Sequence, residues 1–287
     1  MMIQHWKLCA FADEASASTE GQIKALLENE ISYLEIRGVN GINIAALDIP
    51  TAKKFACELK SRGLSVWSIG SPAGKSQITD DFSKEKDQFS RLMEMADIFE
   101  ASCIRLFSFY GTDQSDACFD EICSRLDTFC AMASEYNVRA CHENEKGIYG
   151  DTAEKCLKLH KALPELSAVF DPANFIQCSQ DVMTAWEMLS PYVWYGHIKD
   201  ATADGRIVPP GEGDGALRAY LPLFAAMARE GKNSGVLTLE PHLMEFVGLA
   251  GLEQEGDKSA VGGVSYPDER AAFDHATKCL KQILADL

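Results

Sequence analysis

Short apolar runs alternate with amphipathic stretches along the whole chain. Lys7–Ala12 reads as a first strand and Ser18–Asn29 as a first helix. The spacing predicts further strands over Tyr33–Val39, Ser65–Gly70, Cys103–Phe109, Val138–Glu143, Ser167–Phe170, Val193–Ile198 and Gly235–Leu239. Helices are expected over Ile49–Arg62, Lys84–Glu100, Phe119–Tyr136, Thr152–Ala162, Asp181–Leu189, Leu217–Glu230 and Glu269–Leu284. Phe89, Leu92, Met93 and Ala96 fall at the spacing that lines one helical face. Glycine follows Arg62 and Glu230, where helix C-termini favour it.

Eight strand–helix pairs in sequence order point to an α/β chain, and a closed parallel (β/α)8 barrel fits 287 residues better than an open doubly wound sheet. No Pro/Gly/Ser-rich linker divides the chain, so one domain over 1–287 is expected. Leu243–Pro267 breaks the rhythm with five glycines and reads as a long loop after the eighth strand, on the face where barrel active sites lie.

In a barrel the C-terminal ends of all strands open on one mouth, so the polar residues there were read together. The fifth strand ends Cys141-His142-Glu143-Asn144-Glu145, the sixth Phe170-Asp171-Pro172, the seventh Gly196-His197-Ile198-Lys199-Asp200 and the eighth Leu239-Glu240-Pro241-His242. Glu143, Asp171, His197 and Glu240 thereby reach one place from four consecutive strands. Each alone has a plain structural role: Asp before Pro is a common turn residue, and a strand-end His or Glu often marks where solvent begins. Jointly, three carboxylates and an imidazole form a hard donor set for one divalent ion, Mn, Co, Mg or Zn. Without a cation the carboxylates would repel one another.

Composition narrows the partners. Lys and Arg total 27 against 43 Asp and Glu, a formal net charge of −16, which opposes nucleic acid and anionic membranes. Ten cysteines lack CxxC spacing and sit mostly in apolar runs, as Cys103 does, so reduced buried thiols in a cytoplasmic protein are expected. Met1–Ala10 lacks the pattern of a signal peptide, and no apolar run approaches the ~20 residues of a membrane span.

At these residues the chain resembles the xylose-isomerase-like barrel superfamily, the sugar phosphate isomerase/epimerase group. The likeness is carried by Glu143-Asn144-Glu145, Phe170-Asp171-Pro172-Ala173-Asn174-Phe175, His197-Ile198-Lys199-Asp200, Pro210-Gly211-Glu212-Gly213-Asp214 and Leu239-Glu240-Pro241-His242. Earlier in the chain, Ala12-Asp13-Glu14, Leu34-Glu35-Ile36-Arg37-Gly38 and Gly70-Ser71-Pro72-Ala73-Gly74-Lys75 also fit. The resemblance implies a metal-dependent isomerase or epimerase of a keto-sugar or related polyol. In its epimerases the glutamates ending strands five and eight bind metal and shuttle a proton through an enediolate; here those are Glu143 and Glu240, with Asp171 and His197 completing the metal site.

Two positions depart from the ketose epimerases. Asn174 stands where they usually have a substrate-contacting His, and Ala203 where they have an Arg, the nearest being Arg206. These departures point away from a plain free-ketose 3-epimerase. Lys199 is a candidate proton donor or enolate stabiliser, against a rim salt bridge. Arg37, Lys75, Asn174 and Arg206 are candidate substrate contacts, although Arg37 also has the plain reading of an ion pair with Glu35. Asp13 and Glu14 read as caps of the first helix, Arg105 as an interior residue with a carboxylate partner, and His142 as structural, because strand alternation turns it away from Glu143. Trp67, Phe109, Tyr110 and Phe175 are candidates for an apolar wall.

The same site also suits a dehydratase or lyase that eliminates a β leaving group. Phosphodiester cleavage of the endonuclease IV kind needs more histidine ligands than the chain supplies: of its six, His5, His160 and His275 lie in the N-terminal tail or on helices. A non-catalytic sugar-binding barrel is the alternative from another class. The expected partner is a small sugar-like molecule, and a homo-oligomer is compatible with the sequence.

Overall fold

The computed structural model describes residues 6–113, 115–247 and 265–287. His5 and most of the loop expected over 243–267, namely residues 248–264, lie outside the described residues. Eight parallel strands close into a barrel: β1 Lys7–Ala10, β2 Tyr33–Ile36, β3 Ser65–Ile69, β4 Cys103–Leu106, β5 Arg139–Glu143, β6 Ser167–Phe170, β7 Val193–Ile198 and β8 Val236–Leu239. The ring closes where β1 pairs with β8, Lys7 opposite Val236 and Ala10 opposite Leu239.

The helices around the barrel are α1 Thr19–Glu28, α2 Ile49–Ser61, α3 Phe82–Ile98, α4 Asp116–Glu135, α5 Ala153–Ala162, α6 Pro172–Gln177, α7 Val182–Leu189, α8 Leu217–Arg229 and α9 Glu269–Asp286. Side-chain oxygens of Ser18, Asp48, Asp81, Ser115, Thr152, Asp181 and Asp268 accept from backbone N–H groups of the first turns they precede, satisfying donors a helix start leaves unpaired. Among the described residues no helix is long and apolar enough to cross a membrane.

Three departures from the sequence expectation have local causes. The second strand stops at Ile36, because Gly38–Val39 folds back antiparallel on Ile42–Asn43 through Asn40 and Gly41, both at positive φ, the turn that an Asn-Gly pair favours. The fourth strand ends at Leu106 rather than Phe109. Beyond it, the N–H groups of Phe107 and Phe109 donate to Ala73 and Gly74 of the loop after β3, and Phe109 takes a φ of 65°. Asp171-Pro172 opens the short helix α6 instead of a turn, with Asp171 as cap and Pro172 at the first position, where its missing N–H costs nothing.

The barrel interior is layered. Cys9, Trp67, Cys103, Cys141, Val169, Tyr195 and Val236 form a buried apolar plug. Side chains two residues further along a strand point the same way, so Phe11, Arg105, Glu143, Asp171 and His197 stand one step above Cys9, Cys103, Cys141, Val169 and Tyr195. The site therefore rests on an apolar floor. Trp67 belongs to that floor, Phe109 packs on Phe129 and Phe175 on Phe170. Of the expected apolar wall only Tyr110 joins residues near the mouth, in a cluster with Phe107 and Ile148.

Candidate metal centre

Glu143, Asp171, His197 and Glu240 are brought together: one ligand atom from each lies within 4.8 Å of the others, and all four side chains are buried. Each is held so that one donor atom faces the group. Asp171 Oδ1 accepts the Asn174 N–H at 2.9 Å as the α6 cap, which leaves Oδ2 for the cluster. The helix cap and the candidate ligand are thus the same carboxylate. Asn144 fixes that corner further, exchanging hydrogen bonds of 2.9 and 3.0 Å with the backbone of Asp171.

His197 Nδ1 lies 3.1 Å from Glu143 Oε1 and 3.2 Å from Glu240 Oε2, while its Nε2 lies 3.2 Å from Glu35 Oε2. Glu35 is fully buried, and its other oxygen accepts from Tyr195 Oη at 2.8 Å and Ser68 Oγ at 3.2 Å. An Nε2–H donated to Glu35 turns the Nδ1 lone pair toward the cluster, the arrangement by which an outer carboxylate orients a metal-binding imidazole. The expected ion pair between Glu35 and Arg37 is therefore absent: Glu35 serves His197, and Arg37 turns elsewhere.

Arg37 donates to Asp13 from Nε (2.9 Å), to Glu240 Oε1 from Nη1 (3.0 Å) and to Asp13 and Glu14 from Nη2 (3.1 and 3.0 Å). Asp13 and Glu14 are thus anchors for Arg37, whereas Ser18 caps α1. Arg105 is an interior residue, with Nη1 3.2 Å from Glu143 Oε2 and 3.8 Å from Glu240 Oε1. Phe11 flanks both guanidinium groups, and Phe107 lies against Arg105 and Lys75. Lys199 Nζ is 3.0 Å from Asp171 Oδ2 and 3.6 Å from Glu240 Oε2. Lys75 pairs with Glu145 at 3.0 Å.

Asn174 joins the cluster by donating to Glu143 Oε1 at 3.3 Å. Arg206 is not brought to it; it sits on an exposed hairpin and pairs with Asp204 at 2.8 Å. His142 turns away to Ser108 Oγ at 3.0 Å. His242 places Nε2 3.3 Å from Glu14 and 3.5 Å from Glu240. Sequence reasoning missed the roles of Glu35, Tyr195, Phe11 and Phe107. The signal was the two-residue alternation, which turns Glu35 inward with Arg37, and Tyr195 inward below His197.

Burial and neighbouring charges shift these groups in different directions. Burial, with Glu143 and Glu240 beside it, raises the Asp171 carboxyl to about 6 despite Lys199. Burial raises Glu14 to about 8, against the pull of Arg37. Burial also works against the charged form of Glu240, but Lys199, His242 and His197 outweigh it and hold that carboxyl well below its ordinary range. Burial would lower His197; Glu143, Glu35 and Glu240 prevail and push the imidazole well above its usual value.

These residues fit a divalent ion. Glu143 Oε2, Asp171 Oδ2 and Glu240 Oε2 are buried atoms without an aligned hydrogen-bond partner, although Arg105 and Lys199 lie within ion-pair reach. Orphaned carboxylate oxygens of this kind are costly unless a cation satisfies them. Three such oxygens and an oriented imidazole form the mixed O/N set that suits Mg, Mn, Co or Zn.

Among solved structures, L-ribulose 3-epimerase superposes with a TM-score of 0.74 at 17% identity, over 97% of this chain and 94% of that one. The IolI protein with a bound zinc atom gives 0.72 at 15%, over 98% of each chain. The probable 3-DHS dehydratase AsbF of petrobactin synthesis in Bacillus anthracis gives 0.68 at 18%, over 96% and 97%. At these identities the likeness is one of fold. No curated protein matches the sequence. A family model described as the xylose isomerase-like TIM barrel matches residues 24–280, a span that takes in β2 to β8 and all four residues of the buried cluster. The chain belongs to the xylose isomerase-like TIM barrel family.

Proposed function

We propose that this protein is a divalent-metal-dependent isomerase or epimerase that acts on a keto-sugar or related polyol through an enediolate. The supporting observation is the buried meeting of Glu143 and Glu240 with Asp171 and His197. A divalent ion in that cluster supplies Lewis acidity toward a carbonyl and its neighbouring hydroxyl. The proton work falls to the two glutamates. Their Oε1 atoms are engaged, Glu143 by Asn174 and Glu240 by Arg37, while both Oε2 atoms lack aligned hydrogen-bond donors. One carboxylate takes the proton α to the carbonyl, leaving the C–H electron pair in the enediolate. The other returns a proton to that carbon for epimerisation, or to its neighbour for isomerisation. Arg105 lies within 3.8 Å of both.

Glu240→Gln is expected to lower turnover at least ~100-fold, the scale of losing an acid/base group, with an unchanged circular dichroism spectrum. Unchanged turnover would remove Glu240 from the mechanism. A second reading, β-elimination by a dehydratase or lyase, is favoured by Lys199, whose ammonium within the cluster is suited to stabilise the negative charge that develops on an enolate oxygen. An unsaturated product in place of an epimer or isomer would select it.

A further inference from the structure

We infer that the substrate carries no net charge: it is a neutral keto-sugar, keto-glycoside or keto-inositol rather than a sugar phosphate or a carboxylic acid. The inference rests on the reading above for the reaction; the exclusion of anions stands on charge and backbone geometry.

Among the described residues, the four cations that line the cluster each have a carboxylate partner. Arg37 is shared by Asp13, Glu14 and Glu240, Arg105 pairs with Glu143, Lys75 with Glu145 and Lys199 with Asp171. With Glu35, seven carboxylates (Asp13, Glu14, Glu35, Glu143, Glu145, Asp171, Glu240) face four permanent cations (Arg37, Lys75, Arg105, Lys199), a formal sum of 4 − 7 = −3 with His neutral. A dication brings this to −1, still short of neutral. Among the described residues no cationic surplus remains to neutralise a phosphate dianion or a substrate carboxylate, and burial makes an uncompensated anion expensive.

The backbone leads to the same conclusion. Barrels that bind phosphate often do so with loops after strands seven and eight, through converging N–H groups. Here the glycine-rich loop after β7 is turned on the chain's own carboxylate. Asp200 accepts from Ala201 (2.9 Å), Gly211 (2.8 Å), Gly213 (3.1 Å) and Gly215 (2.8 Å). A Cβ at Gly213 or Gly215 would strike Asp200, so these glycines serve the internal anion. The Ala203 N–H is likewise taken by Asp214 at 2.7 Å. The donors a phosphate would need are occupied before any substrate arrives.

Two measurements on the magnesium-loaded chain test this. The first follows solvent deuterium entering D-fructose, myo-inosose and methyl 3-keto-glucoside, beside D-fructose 6-phosphate and 3-dehydroshikimate. At least one neutral compound should exchange with a kcat/KM ~100-fold or more above either anion, the scale of like-charge rejection. Preferred exchange of an anion would overturn the inference while leaving the isomerase reading intact. The second titrates inorganic phosphate and follows the amide resonances of Gly211, Gly213 and Gly215. No saturable shift is expected up to about 10 mM; saturation below about 1 mM would overturn the inference whatever the turnover shows. Absence of exchange with every compound would refute the isomerase reading, and the phosphate titration would still decide the fate of the anion.

Discussion

Replacing Glu35 by Gln tests whether the centre depends on a residue that cannot itself reach the metal cluster's open side. Glu35 Oε1 accepts from both Tyr195 and Ser68, whereas Oε2 meets only His197 Nε2. In the variant the amide oxygen is best placed opposite the two hydroxyls, which turns the NH2 group toward Nε2. Two donors then face each other, and His197 escapes the clash by carrying its proton on Nδ1, the nitrogen that faces Glu143 and Glu240. The ligand lone pair is lost until that tautomer reverts. Loss of such an outer partner lowers metal affinity about 10–100-fold, or about 1.4–2.7 kcal/mol at 1.36 kcal/mol per decade. Zinc affinity by competition with a chromophoric chelator, on parent and variant at one pH, reads the change directly. Thermal unfolding with excess chelator separates it from any loss of the metal-free fold. Affinities within twofold of each other would refute the assignment of Glu35 as the orienting group.

Other outcomes follow from the same structure. Gly74 sits at φ 83° against the Phe107 carbonyl, so Gly74→Ala meets both left-handed strain and a backbone clash; it should cost at least about 2 kcal/mol, read as a lower urea midpoint. His160 is buried with Nδ1 on the Leu166 carbonyl at 3.0 Å, and burial depresses its imidazole to about 4. The unfolded chain therefore binds a proton from about pH 6.5 downward while the folded chain resists it. Stability falls as pH drops through this window, by about 2 kcal/mol between pH 7.5 and 5, and His160→Gln should remove that share of the slope in urea titrations. Asp200→Ala abandons four backbone donors; faster hydrogen exchange at Gly211, Gly213 and Gly215 and a loss of about 2–3 kcal/mol are expected.

The barrel was legible because its signal is repeated: eight apolar runs, each followed by an amphipathic helix, leave little freedom of topology. The grouping of the four buried cluster residues was legible for a related reason. Strand ends converge in any closed barrel, so Glu143, Asp171, His197 and Glu240 could be grouped from register alone. Partnerships were harder to read. Glu35 and Arg37 lie on one side of the chain two residues apart, which suggests a local pair, yet each finds its partners on other strands, Glu35 on β3 and β7 and Arg37 after β1 and β8. The choice depends on which charges lie opposite in space, and local periodicity carries no such information. Arg206 was assigned by its distance along the chain from His197, but the hairpin Asp200–Ala201 with Ile207–Val208 carries it outward. The Asn40-Gly41 turn was visible as a dipeptide and was obscured by the apolar run around it.

The seam between β1 and β8 has a consequence for synthesis. Lys7 and Val236 are opposite neighbours in the finished sheet but 229 residues apart in the chain (236 − 7). At ribosomal rates of about 5–20 residues per second, roughly 10–45 s pass between the emergence of the two. Through that interval β1 has its partner β2 on one side and nothing permanent on the other, and the apolar plug beneath the cluster has no eighth wall. Any sheet formed before β8 emerges would have an open edge at β1, which other chains can pair with. Closure joins the most distant segments last, a contact pattern associated with slow folding. Solubility during expression should therefore respond to translation speed and chaperone supply more than to changes at the buried carboxylate–histidine cluster.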